Sequence, residues 1–339
     1  MFDCRRDIIL PPKRTNENGR IRQVGVEIEF AGLTVEQTAT VIARCLDGTS
    51  VPIHKHRFEV RSTQWGDFHA ELDSRYVQPE TYLPGETSER PDWEVRLSEL
   101  VSAAIGDVGA VVIPCEIVAP PIAMTHLTVL DNLILQLQTQ GAQGTDRSIF
   151  YAFGLHLNPE VATVEPEWIM SIIRAQTILS SWLRSVMQID RSRYLTGFAT
   201  TYPRGYAELV LQPSYKPSLE QLIDDYIHHN PTRDRELDML PLFAWLDNDR
   251  VRHLLPNEKI GARPTFHYRL PNAALERTQW SVVLEWNRWC LIERLADNQD
   301  LLKQLSSAYL QSGTADDENS WATLVSETLV HDLHKQALN

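Results

Sequence analysis

The sequence predicts an α+β fold in which a curved, largely antiparallel sheet is flanked by helices. Two observations carry that prediction. Short alternating segments crowd the front of the chain and are joined by irregular connections, while the later segments are long and helically periodic. The regular strand–helix–strand alternation of a parallel sheet is missing. With 339 residues the chain is long enough for one large domain or two ordinary ones. No internal repeat, low-complexity tract or linker divides it. The expected layout is an N-terminal arm over residues 1–20, a single domain over 21–310 and a C-terminal extension over 311–339, helical in part.

The first expected strand is Gly25-Val26-Glu27-Ile28-Glu29-Phe30, which alternates strictly. Thr34 then opens a helix as N-cap, with Gln37 completing a capping box. Val35, Ala39, Ile42, Ala43 and Leu46 recur at helical spacing until Gly48. Residues 57–61 and 65–73 read as strands, with 51–53 in the same sheet. The stretch 78–90 is rich in Pro, Gly, Glu and Thr and reads as an exposed loop. β-Branched residues predict a strand over 111–120 that ends at Pro120. Leu127, Leu130, Leu133, Ile134 and Leu137 place a helix over 126–140, and 149–157 returns to strand. A long helix over 166–188 has Glu165 and Glu167 at its positive end. A shorter helix over 217–230 opens at Ser218, a strand follows at 266–270, and 280–308 is one long, largely helical segment.

Composition narrows the function. Hydrophobic residues make up 43% and charged residues 23%, as in ordinary globular proteins rather than disordered ones. The formal net charge of -13 argues against nonspecific binding to nucleic acid or anionic membranes, while leaving room for a local basic pocket for phosphate. No run approaches the roughly 18 apolar residues of a membrane span. The first residues are polar and interrupted by Pro11 and Pro12, unlike the core of a signal peptide. Cys4, Cys45, Cys115 and Cys290 are scattered and form no CxxC pair, which disfavours zinc-finger and thioredoxin sites and suits reduced thiols in a cytoplasm. P-loop, dinucleotide-binding and GxSxG signatures are absent. Trp286 and Trp289 read as core, and the adjacent His228 and His229 as surface residues near a helix end.

The chemistry is concentrated in the first strand. Residues at i and i+2 of a strand point the same way, so Glu27 and Glu29 project together while Val26, Ile28 and Phe30 face the other side. Adjacent carboxylates repel and need cations or protons nearby, and one divalent metal per carboxylate is an economical answer. Taken alone, the hexapeptide serves equally as an amphipathic strand with a solvated polar face. Further polar residues interrupt apolar strand positions. Glu116 sits within Cys115-Glu116-Ile117-Val118-Ala119, His156 and Asn158 alternate with Leu155 and Leu157, and His267 and Arg269 alternate with Phe266, Tyr268 and Leu270. Together they describe a polar trough on one face of the sheet. Arg193, Arg204 and Arg263 are candidates to hold phosphate or a substrate carboxylate.

The motifs GVEIEF, FHAELDS, CEIVAPPI, FGLHLN and TFHYRLP, in this order and followed by a Trp-bearing helix, resemble the amidoligases of the carboxylate–amine ligase superfamily, which includes glutamine synthetase and glutamate–cysteine ligase. The resemblance implies a glutamine-synthetase-like catalytic fold. It also implies ATP-dependent joining of a small-molecule or peptide carboxylate to an amine through an acyl phosphate. ATP and two or more Mg²⁺ or Mn²⁺ ions would lie in the concave face of the sheet. Glu27 would serve the nucleotide metal, and Glu29 with Glu116 the substrate-side metal, completed by Asp73 or Glu71. His156 would ligate near the phosphates, and Arg269 would stabilise the transferring phosphoryl group. Asn158 and Arg263, with Arg193 and Arg204, would line the nucleotide site. Loops at 78–90 and 195–205 are candidates to shield the acyl phosphate from water. Where the superfamily has E-x-R, this chain has His267-Tyr268-Arg269. A neutral imidazole still ligates a divalent ion but brings no charge, and suits Mn²⁺ or Zn²⁺ better than Mg²⁺. His267 therefore also admits a catalytically reduced, nucleotide- or metal-binding relative, and clustered acids and histidines also suit a metal-dependent hydrolase.

Overall fold

The computed structural model describes residues 7–72, 114–145, 153–189, 199–311 and 317–337. The expected loop at 78–90, the first residues of the expected strands at 111–120 and 149–157, and residues 195–198 of the loop at 195–205 lie outside them, as do Asp73 and Arg193. The described residues build an open, antiparallel eight-stranded sheet with ten helices, an α+β architecture. In chain order the strands are β1 (Gln23–Phe30), β2 (Thr49–His54), β3 (Arg57–Thr63), β4 (Gly66–Leu72), β5 (Cys115–Ala123), β6 (Leu155–Pro159), β7 (Leu237–Asp238) and β8 (His267–Tyr268). They lie side by side as β2-β3-β4-β5-β1-β6-β8-β7, so the glutamate-bearing β1 is central, between β5 and β6.

Alternation in the sequence becomes two chemically distinct faces. Val24, Val26, Ile28 and Phe30 of β1 join Ile117, Leu155, Leu157, Phe266 and Tyr268 in one buried apolar core. Helix α1 (Val35–Cys45) covers β3 and β4 on this side. It begins as expected: Thr34 Oγ1 accepts from the Gln37 amide, and the Gln37 side chain accepts from the Thr34 amide. α2 (Thr128–Thr139) packs against α1, and the long α3 (Pro166–Met187) anchors the helical layer.

Strand β5 continues past Pro120, where the sequence placed its end. Prolines cannot donate to a ladder and are tolerated where no donor is needed. Here pairing with β4 stops at Val118, and pairing with β1 passes from Ala119 opposite Val26 to Ile122 opposite Val24. Pro120 and Pro121 therefore form a bulge facing Gly25. Gly25 fits there because a Cβ would come within 3.3 Å of the Asn158 side chain.

The second half holds α4 (Arg204–Leu211), α5 (Leu219–His229), α6 (Leu240–Leu246), α7 (Asn248–Leu254), α8 (Val282–Asp297), α9 (Gln299–Gln311) and α10 (Glu318–Ala337). The segment expected as one helix over 280–308 divides at Asn298. The Asn298 side chain accepts from the Leu301 amide, so it acts as an N-cap for α9 within the run. Trp286 and Trp289 are fully buried, as their pattern suggested. The arm and the extension both join the body. Trp286 donates to the Ile9 carbonyl, and Trp321 of α10 donates to the Ile178 carbonyl of α3.

The sheet is fixed to the helices by a buried ion pair. Arg22, just before β1, makes two 2.7 Å contacts to the Glu293 carboxylate of α8, and Trp289 donates to the same carboxylate. Removing one member leaves a buried charge without its partner, which costs about 3–5 kcal/mol. Glu293→Gln should lower the unfolding free energy by that amount in urea titrations. A loss below about 0.5 kcal/mol, the range of ordinary surface substitutions, contradicts this role for the pair.

Candidate functional site

The polar face of the sheet is built by register. On β1, Glu29 lies opposite Glu116 of β5, and Glu27 lies opposite His156 of β6. Gly25 lies opposite Asn158, and Glu116 also faces Glu71 of β4. Glu29 and Glu116 are only 2% and 8% exposed, so two carboxyl groups are buried directly across from one another. The amide of Gly154 donates to Glu29 at 2.9 Å.

His156 stands between the two glutamates of β1. Its Nδ1 is 3.0 Å from Glu27 and its Nε2 is 3.9 Å from Glu29. From β8, His267 sets its ring edge-on to that of His156, with centroids 5.4 Å apart. Two groups of donor atoms result: Glu27, His156 and His267 in one, and Glu29, Glu116 and His156 in the other. Within each group the atoms lie within 4.8 Å of one another, close enough to share one cation. Carboxylate and imidazole donors in these numbers suit a divalent metal.

Three arginines gather at the β6–β8 side. Arg263 donates to Asn158 Oδ1 at 2.7 Å, and Asn158 in turn donates to Glu27 at 3.0 Å. The Asn158 amide thus links an arginine to the glutamate rather than standing apart. Arg269 is held by the Arg233 carbonyl and lies 3.5 Å from Asp234. Arg233 is 3.6 Å from the buried Asp238. A cavity of about 300 Å³ opens beside Glu27, walled by Val118, Pro121, Asn158, Arg263 and Pro264.

These neighbours set the protonation states. Burial works against ionisation of Glu27, but the hydrogen bond and charge of His156, backed by His267 and Arg263, outweigh it and hold the carboxyl well below the usual range. Burial pushes His267 down to about 4, against the opposing pull of Asp238 and Glu27. Burial likewise opposes the charge on Asp238, and the His267 hydrogen bond with Arg233 and Arg269 overcomes it. At neutral pH His267 is therefore a neutral imidazole with a lone pair to offer.

Other sequence candidates lie elsewhere. Glu71 pairs with Arg57 at 3.3 Å and belongs to neither donor group. Arg204 begins α4, is 61% exposed and pairs with Glu208, on the wall of a separate cavity of about 190 Å³ among the helices. The structure does not bring it to the polar face beside Glu27. Sequence reasoning missed Asp238, Arg233 and the Gly154 amide. For Asp238 a signal existed, because Glu236-Leu237-Asp238 repeats the acid–apolar–acid pattern of Glu27-Ile28-Glu29.

A family model described as "putative amidoligase enzyme" matches residues 20–291. The chain belongs to this amidoligase family. Comparison with curated proteins and with solved structures returned no match. The matched stretch contains both donor groups, Asp238 and all three arginines, so these residues of the polar face all lie within the family region. Among the described residues no helix is long and apolar enough to cross a membrane.

The state of His267 has a consequence for stability. The folded chain resists protonation there until about pH 4, whereas the unfolded chain takes up that proton near 6.5. Between those values the unfolded state binds more protons, so stability rises with pH and is lost as pH falls from 6.5 towards 4. In metal-free protein, His267→Asn should flatten this part of the profile, read as urea midpoints across the window. An unchanged slope in the variant would rule out His267 as its source.

Proposed function

We propose that this amidoligase is an ATP-dependent carboxylate–amine ligase of the superfamily that includes glutamine synthetase and glutamate–cysteine ligase, with a glutamine-synthetase-like sheet. The observation that carries this reading is the pair of donor groups meeting at His156 within the family region. Glu27, His156 and His267 would hold one divalent ion, and Glu29, Glu116 and His156 a second. When bound, Mg²⁺ or Mn²⁺ with ATP supplies charge neutralisation and an activated phosphoryl group.

In this reaction class a carboxylate oxygen attacks the γ-phosphorus and ADP leaves, forming an acyl phosphate. The amine nitrogen then attacks the acyl carbon, gives up a proton, and phosphate leaves. The protein's part is positioning and electrostatics. Arg263 and Arg269 offer fixed positive charge on the His267 side, where phosphate oxygens would accumulate charge. Asn158 keeps Glu27 and Arg263 in register with each other. The cavity beside Glu27 offers apolar walls of a size suited to part of a nucleotide. Glu29 and Glu116 form the more acidic end, suited to the substrate-side cation. The substrates are a small-molecule or peptide carboxylate and an amine, consistent with the chain's acidic balance and lack of a nucleic-acid signature.

A second reading rests on His267. With one carboxylate fewer than an E-x-R site, the first group favours Mn²⁺ over Mg²⁺, and a relative that binds nucleotide without turnover fits the same donors. One assay separates these possibilities. A library of amino acids, peptides and amines is incubated with ATP and Mg²⁺ or Mn²⁺, and ADP and new amides are measured. Ligase activity requires ADP release that depends on both a carboxylate and an amine. Release without an amine indicates a hydrolase, and binding without release the reduced relative. In an active pair, Arg269→Ala should lower ADP formation by roughly 10²–10³, the loss typical of a transition-state charge stabiliser. Full turnover in a folded variant contradicts the role given to Arg269.

A further inference from the structure

His267 brings no charge to the first donor group, yet a carboxylate lies directly behind it. Asp238 of β7 pairs in register with His267 of β8, and its Oδ2 is 3.2 Å from His267 Nδ1. The carboxylate is fully buried and cannot turn elsewhere. Its Oδ1 accepts from the Leu240 amide at 3.0 Å at the start of α6, and Arg233 closes on Oδ2. A carboxylate only accepts, so the proton of the neutral imidazole must sit on Nδ1. That leaves Nε2 as the lone-pair nitrogen. His267 is 3% exposed, and Nε2 is buried with no hydrogen-bond partner among the described residues. A buried polar atom left without a partner is costly, and it marks a place for a missing group.

We infer that Asp238 is a positioning residue: it fixes His267 as the Nδ1-protonated tautomer, so that Nε2 serves the cation shared with Glu27 and His156, and it supplies from behind the negative charge that His267 lacks. The inference rests on the metal reading given above. The pairing is reinforced by backbone geometry. β7 and β8 are each two residues long, and the Arg269 amide donates to the Glu236 carbonyl at 2.8 Å, so the strand carrying Asp238 is locked to the strand carrying His267. Asp238 belongs to neither donor group, which keeps it behind the imidazole rather than on the ion. Carboxylates placed in this way orient a ligating imidazole and raise its basicity, and their loss costs roughly 10- to 100-fold in metal affinity.

The test has a spectroscopic arm and a binding arm. In metal-free wild-type protein with ¹⁵N-labelled histidine, the His267 signals, identified by their loss in His267→Gln, should show a protonated Nδ1 and an unprotonated Nε2. The opposite tautomer overturns the inference even if Asp238→Asn does not fold. Mn²⁺ is then titrated calorimetrically. Asp238→Asn should weaken binding roughly 10- to 100-fold and convert His267 towards the Nε2-protonated form, as an amide partner permits. In the His267→Gln background the same change should have no further effect. Wild-type binding with an unaffected Asp238→Asn overturns the positioning role and leaves the metal reading standing. Absence of Mn²⁺ binding by the wild type overturns the metal reading itself, and the inference with it.

Discussion

Two carboxylates buried face to face at the middle of the sheet impose most of what surrounds them. Glu29 and Glu116 sit on neighbouring strands in direct register, nearly closed off from solvent. Like charges in that position are destabilising, and buried ions without compensation are more so. The fold must surround them with donors, and it does. The Gly154 amide donates to Glu29, and the cross-strand order that places β6 beside β1 brings His156 within reach of both carboxylates. An apolar pair at these positions would fill the same space without that cost. The expense is therefore better understood as that of a site than as a source of stability.

The far side of the site depends on a very short strand. β8 contributes two ladder residues, yet its alternation separates two jobs. His267 and Arg269 stand with the polar groups, while Phe266 and Tyr268 pack their rings against Trp289. The aromatic contacts hold the strand from behind, so the polar side chains in front can be placed without a long ladder. Trp289 also donates to Glu293, the partner of Arg22 at the start of β1. One helix thus fixes both β1 and β8, the two strands that carry opposite sides of the first donor group.

Legibility from sequence followed the length of each pattern. The period-two interruptions at Glu27, Glu29, Glu116, His156 and His267 were visible because each lies in an apolar run, where a polar residue stands out. The capping box at Thr34 and the long helix after Pro166 were equally plain. What failed to show was local and non-periodic. The continuation of β5 through two prolines depends on a bulge opposite Gly25, which only the neighbouring strands define. The division at Asn298 depends on one side chain turning back to cap a new helix. Asp238 escaped notice because a two-residue strand offers no period, and its partner lies 29 positions away in the sequence.

Charge is graded along the polar face, and the gradient gives the two donor groups different characters. Across β4, β5 and β1 the row Glu71, Glu116 and Glu29 is acidic, relieved at its outer end by Arg57. Across β6, β8 and the adjoining loops lie Arg263, Arg269 and Arg233. An anionic group entering the site is repelled from the first region, whereas in the second each arginine stands beside one acid, Glu27, Asp234 or Asp238, and that repulsion is offset. The donor sets follow the same gradient, with two carboxylates and one imidazole on the acidic side and one carboxylate and two imidazoles on the basic side. Hard oxygen donors suit Mg²⁺, and imidazoles shift preference towards later divalent metals. His156, with one nitrogen towards each glutamate, sits where the two regions meet.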